Sequence, residues 1–391
     1  MFTGLRHNVR VYALAMLVST LPWAAAAHDE QERENAGRDP VVLTFSTVGD
    51  SRQDLVAFDP TTGPLSGQDK IWLQNTKALS RIIRSVESQQ SKLLFFNGDM
   101  IMGYGLAGPT ASNSVADVTG SDLMAFYRQY GFWRGMVAPL MEAGTYVVPV
   151  AGNHEVQSKP LGKKAQVENE NAWRANMGDL IIDTARFKTI VGTDATNVNV
   201  QNNGGYDGLG TDQSQLSYSF DVGDAHFAVI NTDPVGKDNV APTGWLASDL
   251  GSAAGRGAKH FFVFGHKPAY TYYFGTNTPP NPGVSGLDKF PASRDAFWNV
   301  IEQYGATYFC GHEHEFNMAQ PKGAAWQVLV GTGGSPFDAA PGEATLSPAT
   351  DRTYAWATVK VRRSGKVDID AYGFSDSFGP TKVLKHVTLA R

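Results

Sequence analysis

Five apolar segments of this chain stop at a glycine that is followed at once by a side chain able to bind a metal or a proton. Val41–Val48 runs into Gly49-Asp50, Lys92–Phe96 into Asn97-Gly98-Asp99, and Thr145–Val150 into Gly152-Asn153-His154. His260–Phe264 runs into Gly265-His266, and Thr307–Cys310 into Gly311-His312-Glu313-His314. Short β-branched and aromatic runs bounded by turn residues read as buried strands. Helix-like apolar spacing separates them, over 71–89, 122–143, 245–250 and 292–304. Strands alternating with helices call for an α/β sheet with helical cover. A helix-free tail, with strands near 326–330, 355–361 and 366–371, points to a second sheet. Residues 216–222 and 226–230 read as a hairpin. Ligands of an α/β sheet gather outside the carboxyl ends of its strands. The five polar clusters are therefore expected on one rim, where glycine lets the chain turn sharply and approach the site.

The chemistry of that rim is specific. Asp50, Asp99, Asn153, His266, His312 and His314, with His154 beside them, offer two carboxylates, a carboxamide and three or four imidazoles. Such a hard-to-borderline set suits Zn, Fe, Mn or Mg better than a thiophilic ion. Six ligands exceed one tetrahedral ion and suit two ions sharing an aspartate. A specified tetrapeptide such as Gly152-Asn153-His154-Glu155 arises by chance in roughly one chain in several hundred of this length. His226 and His260 stand at strand starts, where a surface or hydrogen-bonded histidine is expected, and are left out of the site. Cys310, inside an apolar strand, reads as a buried structural thiol. Glu155 and Glu313 read as groups that orient ligands or shape turns.

The ordered series Gly-Asp, Gly-Asp, Gly-Asn-His-Glu, Gly-His and Gly-His-x-His resembles the calcineurin-like metallophosphoesterases, on their purple-acid-phosphatase side. Weaker matches are Trp245-Leu246 and Gly331-Thr332-Gly333-Gly334, so the resemblance spans about residues 43 to 334. It implies a four-layer α/β/β/α sandwich with two mixed β-sheets and a dinuclear metal site at the strand C-terminal ends. Carried over, Asp50 and His314 hold the first metal, Asn153, His266 and His312 the second, and Asp99 bridges both. His154 faces the leaving group as the catalytic side chain. Two departures stand out. The family often has histidine two residues after the first aspartate, where this chain has Arg52. The tyrosine that colours purple acid phosphatases is replaced by Met102, with Tyr104 two residues too late. A guanidinium cannot ligate a cation, so Arg52 is read as a contact to substrate phosphate, or else as the partner of a helix carboxylate.

Arg6, His7 and Arg10 precede an apolar run over 11–21 and then Ala24–Ala27, the pattern of a secretory signal peptide. Residues 1–27 are expected to be removed, 28–40 to form a flexible leader, and 41–391 to be one catalytic domain. The expected location is periplasmic or secreted, without a membrane span after cleavage. A net charge of −5 argues against a nucleic-acid duplex partner. The expected cofactors are two metal ions of unassigned identity, and the expected partner is a small phosphorylated substrate. Lys267 either adds positive charge for phosphate or points away. The stretch Tyr270-Thr271-Tyr272-Tyr273-Phe274 is either a stacking wall or ordinary loop packing. The leading function is an exported phosphomonoesterase. A phosphodiesterase or nucleotide hydrolase, a mononuclear enzyme and a non-catalytic phosphate-ester binding module are the alternatives.

Overall fold

Three short strands rich in Val, Leu and Phe begin the first sheet. β1 (Val41–Val48), β2 (Leu93–Phe96) and β3 (Tyr146–Pro149) pair in parallel, as their intervening helices require. A small hairpin follows, β4 (Gln157–Ser158) with β5 (Lys164–Ala165). The second sheet takes β6 (Thr196–Val200), β7 (Tyr218–Val222), β8 (Ala225–Ile230), β9 (His260–Gly265), β10 (Thr307–Cys310), β11 (Phe316–Ala319) and β12 (Gln327–Val330). Its order is β11-β12-β10-β9-β8-β7-β6. β13 (Thr353–Arg362), β14 (Val367–Ser375) and β15 (Lys382–Leu389) then complete the first sheet, in the order β15-β14-β13-β1-β2-β3. Both sheets are mixed. The computed structural model describes residues 39–53, 67–202, 207–271, 285–338 and 352–389. Its contacts divide the chain after Pro40, and both sheets belong to the unit Val41–Arg391. The expected signal peptide, most of the leader, and Tyr272, Tyr273 and Phe274 lie outside the described residues.

Three apolar fillings define four layers. Between the sheets, Phe45 and Phe95 of the first meet Phe220, Phe227, Phe262, Phe264 and Phe309 of the second. The outer face of sheet one is covered by α1 (Gly67–Ser88), α2 (Asp122–Glu142) and α3 (Val167–Met177), through Leu79, Ile82, Trp133 and Trp173. The outer face of sheet two is covered by α4 (Thr243–Gly255) and α5 (Pro291–Gln303), through Leu246, Leu250, Phe297 and Trp298. This is the expected α/β/β/α sandwich.

Three readings are corrected. The helix-free tail does not make a second sheet, because β13 pairs antiparallel with β1 and returns the chain to the first; β12 alone of the expected tail strands joins sheet two. The stretch 192–215, rich in Gly, Thr and Asn, reads as a loop, but part of it is the edge strand β6, paired with β7. β11 and β15 are strands that the apolar pattern does not mark.

His226 is buried as a hydrogen-bonded histidine rather than a surface one. Its Nδ1 lies 2.5 Å from Asp221 and its Nε2 2.9 Å from Asp249. Burial alone would depress its pKa, but the two carboxylates outweigh burial and raise it above the ordinary 6.5. A raised folded-state value means the stabilisation is complete below pH 6.5 and is lost as pH climbs through the folded value. His226→Ala, which leaves two buried carboxylates facing each other, is expected to lower unfolding free energy by about 3 kcal/mol at pH 6. Urea unfolding at pH 6 and pH 9 should show the gap to wild type narrowing at the higher pH.

Candidate metal centre

The strand ends of both sheets meet at one rim. Sheet one delivers Asp50 after β1, Asp99 after β2, and Asn153 and His154 in the short helix Asn153–Val156 that follows β3. Sheet two delivers His266 after β9, and His312 and His314 after β10. Asp50, Arg52, Asp99, Tyr104 and His312 all have positive φ, so the backbone is strained where the site is built. At Gly98 (φ +81) the two sheets' loops approach closely: a Cβ there would lie 2.6 Å from His266 Nδ1 and 2.7 Å from the Cα of Gly152. The Gly331–Gly334 loop lies along the Asp50 turn, with Gly333 N–H donating to the Gly49 carbonyl at 2.7 Å.

Hydrogen bonds on the outer side of each ligand decide which atoms face inward. His266 Nδ1–H donates to the Asn97 carbonyl (2.7 Å), which leaves Nε2 as a bare lone pair. The Asn153 amide NH₂ donates to the Tyr104 hydroxyl, which turns Oδ1 inward. His312 Nε2 pairs with the Ser285 hydroxyl at 2.8 Å, leaving Nδ1 toward the centre. His266 Nε2 then faces Asn153 Oδ1 at 2.8 Å, Asp99 Oδ1 at 3.2 Å and His312 Nδ1 at 3.2 Å. With His312 Nε2–H given to the Ser285 hydroxyl, four lone-pair donors converge, and a cation would satisfy them.

The other half of the centre has Asp50, Asp99 and His314, with one donor atom from each within 4.8 Å of the others. His314 Nδ1–H donates to the Pro336 carbonyl (2.7 Å), so Nε2 points at Asp50 Oδ1, 3.7 Å away. Burial, and next the charge of Asp99, raise the pKa of Asp50 well above its ordinary value. Two buried carboxylates set together in this way call for positive charge. Burial, and next Arg52, push His314 down to about 3 and His154 well below the usual value; burial, and next Lys267, lower His312. Neutral imidazoles are the form in which histidine ligates. Donor chemistry and arrangement therefore fit two cations, and Asp99 belongs to both donor groups.

Arg52 lines the cleft and its Nη1 donates toward the same His314 Nε2 at 3.4 Å. His154 Nδ1–H is held by the Met102 carbonyl, and Nε2 lies 3.5 Å from Asp99 Oδ2. Glu155 has the orienting place expected for it. Its carboxylate accepts from the N–H groups of Asp99 (2.9 Å), Met100 (2.8 Å), Ile101 (3.2 Å) and Gly152 (2.8 Å). Burial, then Asp99, push its pKa up to about 8, against those donors. Glu313 is buried in the turn between His312 and His314. Lys267 points away from the cleft, buried against Asp233 (2.6 Å) and Asn239 (2.7 Å). Cys310 is buried, and burial raises its thiol pKa. Sequence reasoning passes over Tyr104, whose ring centroid lies 3.8 Å from that of His154, and Asp338, which accepts the His314 N–H at 2.6 Å. Spacing alone leaves Tyr104 outside the motif; its turn (φ +66) brings it back into the site.

Residues 71–316 match the family model for calcineurin-like phosphoesterases. No curated protein matches the sequence. Among solved structures, a purple acid phosphatase isolated from yellow lupin (Lupinus luteus) seeds is similar at 14% identity and a TM-score of 0.54, over 90% of this chain and 54% of that one. The chain thus spans about half the length of the lupin protein. A dimetal phosphatase from Danio rerio is similar at 11% identity and a TM-score of 0.49, over 89% of this chain and 99% of that one. At these identities the lupin likeness is one of fold.

Because Arg52 competes for the lone pair of His314 and cannot ligate, Arg52→His should tighten the first metal and weaken phosphate binding. Calorimetric metal titration of the two proteins, with phosphate affinity measured in parallel, checks both; equal metal affinity would count against the competition.

Proposed function

We propose, from the premise that the chain belongs to the calcineurin-like phosphoesterase family, that this metal-dependent phosphoesterase is an exported enzyme acting on phosphate monoesters. The observation that carries the monoester reading is Arg52, a guanidinium at the wall of the cleft beside His314. A monoester dianion carries one more charge than a diester, and a guanidinium matches its oxygens bidentately. The cleft holds about 500 Å³, within the range of small-molecule sites.

In this reading Asp50 and His314 hold one metal, Asn153, His266 and His312 the other, and Asp99 both. When bound, two such ions supply positive charge against the phosphate oxygens and a water of lowered pKa. Everything else falls to the chain. Arg52 orients the phosphoryl group. Glu155 fixes the backbone that carries Asp99. The Met102 carbonyl pins the His154 ring so that Nε2 faces the cleft. There the protonated ring donates a hydrogen bond from Nε2 to the leaving-group oxygen and delivers that proton to it. Asn153 offers a neutral oxygen, which preserves the Lewis acidity of its ion. The metals are drawn from Fe, Zn, Mn and Mg.

Export rests on the basic N-terminus, the apolar run over 11–21 and the alanines at 24–27. No helix among the described residues is long and apolar enough to cross a membrane.

The test is hydrolysis of a nitrophenyl monoester and its bis-ester side by side, with each metal in turn. The monoester is expected to be preferred, and a preference for the bis-ester would overturn that reading in favour of a phosphodiesterase. His154→Ala is expected to lose about 10²–10⁴ of the rate on a poor leaving group while keeping its metals. Full activity on such a substrate would remove His154 from the chemistry.

A further inference from the structure

The mouth of the cleft carries positive charge that the metal centre does not use. Beyond Arg52, its wall includes Lys159, Pro160 and Lys163, which form the turn of the β4–β5 hairpin directly after the Gly-Asn-His-Glu turn. That hairpin is firmly held. Lys159 N–H donates to the Tyr104 carbonyl (2.8 Å) and Lys163 N–H to the Ser158 carbonyl (2.9 Å). Below them, Gln157 donates to Asp233 (3.0 Å) and Asp238 (2.9 Å), and Ala165 N–H donates to Asp238 (2.8 Å). Lys163 itself sits in the left-handed region, at φ +56.

The acids beneath the hairpin are already engaged by other lysines. Asp238 faces Lys164 at 3.6 Å, and Asp233 holds Lys267. Among the described residues no carboxylate pairs with Lys159 or Lys163. A further cation, Lys289, stands on the turn Gly286–Lys289, next to the Ser285 that touches His312. Burial, then Lys267, lower its pKa against the opposing pull of Asp233, with Lys163 and Lys164 adding smaller repulsions. Among the described residues, the carboxylates in the cleft wall are Asp99, committed to the centre, and Asp338, which lies against His314. The hairpin side of the mouth therefore gathers like charges on a rigid support, at an energetic cost that an anion in the mouth would offset.

We propose that the natural substrate carries a second phosphate, held by Lys159 and Lys163 while the scissile one lies at the metal centre. The substrate class is a small bisphosphorylated molecule, such as a sugar phosphorylated at both ends. This rests on the phosphoesterase reading above and adds the specificity that the centre itself lacks.

The experiment compares kcat/KM for a hexose 1,6-bisphosphate and the matching hexose 6-phosphate in the metal-reconstituted protein. Wild type is expected to favour the bisphosphate by about tenfold, the scale of two exposed ion pairs. In Lys159→Ala/Lys163→Ala that ratio should fall toward one, and in Lys159→Arg/Lys163→Arg it should persist. Added salt should also erode it. No preference in wild type, or the same preference in the alanine variant, would overturn the proposal. If neither sugar phosphate nor any nitrophenyl ester is turned over, the phosphoesterase reading itself has failed. Calorimetric dissociation constants for the two sugar phosphates then decide the lysine site separately: about tenfold tighter binding of the bisphosphate upholds it, and equal binding ends it.

Discussion

The two sheets are held face to face by aromatic rings, and the rest of the molecule depends on that contact. Phe95 and Phe264 stack with centroids 3.7 Å apart and planes within 6°. Phe45 meets Phe262 edge-on at 4.8 Å and Phe309 edge-on at 6.0 Å. Stacked and edge-on rings of this kind fix orientation as well as distance. The ends of β1 and β2 are thereby set opposite those of β9 and β10. The centre straddles this seam rather than sitting on one sheet. His266 from sheet two reaches the Asn97 carbonyl of sheet one, and the His312 N–H donates to Asp50 at 3.0 Å. A change that slid one sheet over the other by a residue would separate the aspartates from the imidazoles.

Around this seam, backbone groups tune the polar atoms more than side chains do. The Asn97, Met102 and Pro336 carbonyls each fix the inward-facing nitrogen of one histidine. Four backbone N–H groups meet on Glu155 and tie the Asp99 loop to the Gly152 turn. Such outer partners preorganise ligands at little cost in side-chain entropy.

The candidate ligands are legible in the sequence because each stands within three residues of a glycine at the end of an apolar strand, where local pattern suffices. Asp50, Asp99, Asn153, His154, His266, His312 and His314 all lie at the rim where the strand-end argument puts them. Local pattern does not carry pairing. The tail strands look self-sufficient in sequence, but β1 would be an unpaired edge without β13, so they return to it. Lys267 is next to a ligand in sequence and still turns away, because Asp233 and Asn239 offer it a buried partner. Tyr104 looks misplaced by two residues, since a left-handed turn is invisible in composition. The lysine hairpin is unreadable for the same reason: its lysines matter only because Tyr104 holds that loop against the cleft.

The first sheet is assembled from the two ends of the chain. The Ser46 hydroxyl meets that of Thr358 at 2.9 Å, 312 positions further along. A ribosome makes every candidate ligand by residue 314, yet β13, β14 and β15, half of the six-stranded sheet, come afterwards. Until β13 emerges, β1 has an open edge. Contacts of such long sequence separation form slowly. The scaffold that positions the candidate ligands is therefore closed by strands made only after the ligands themselves.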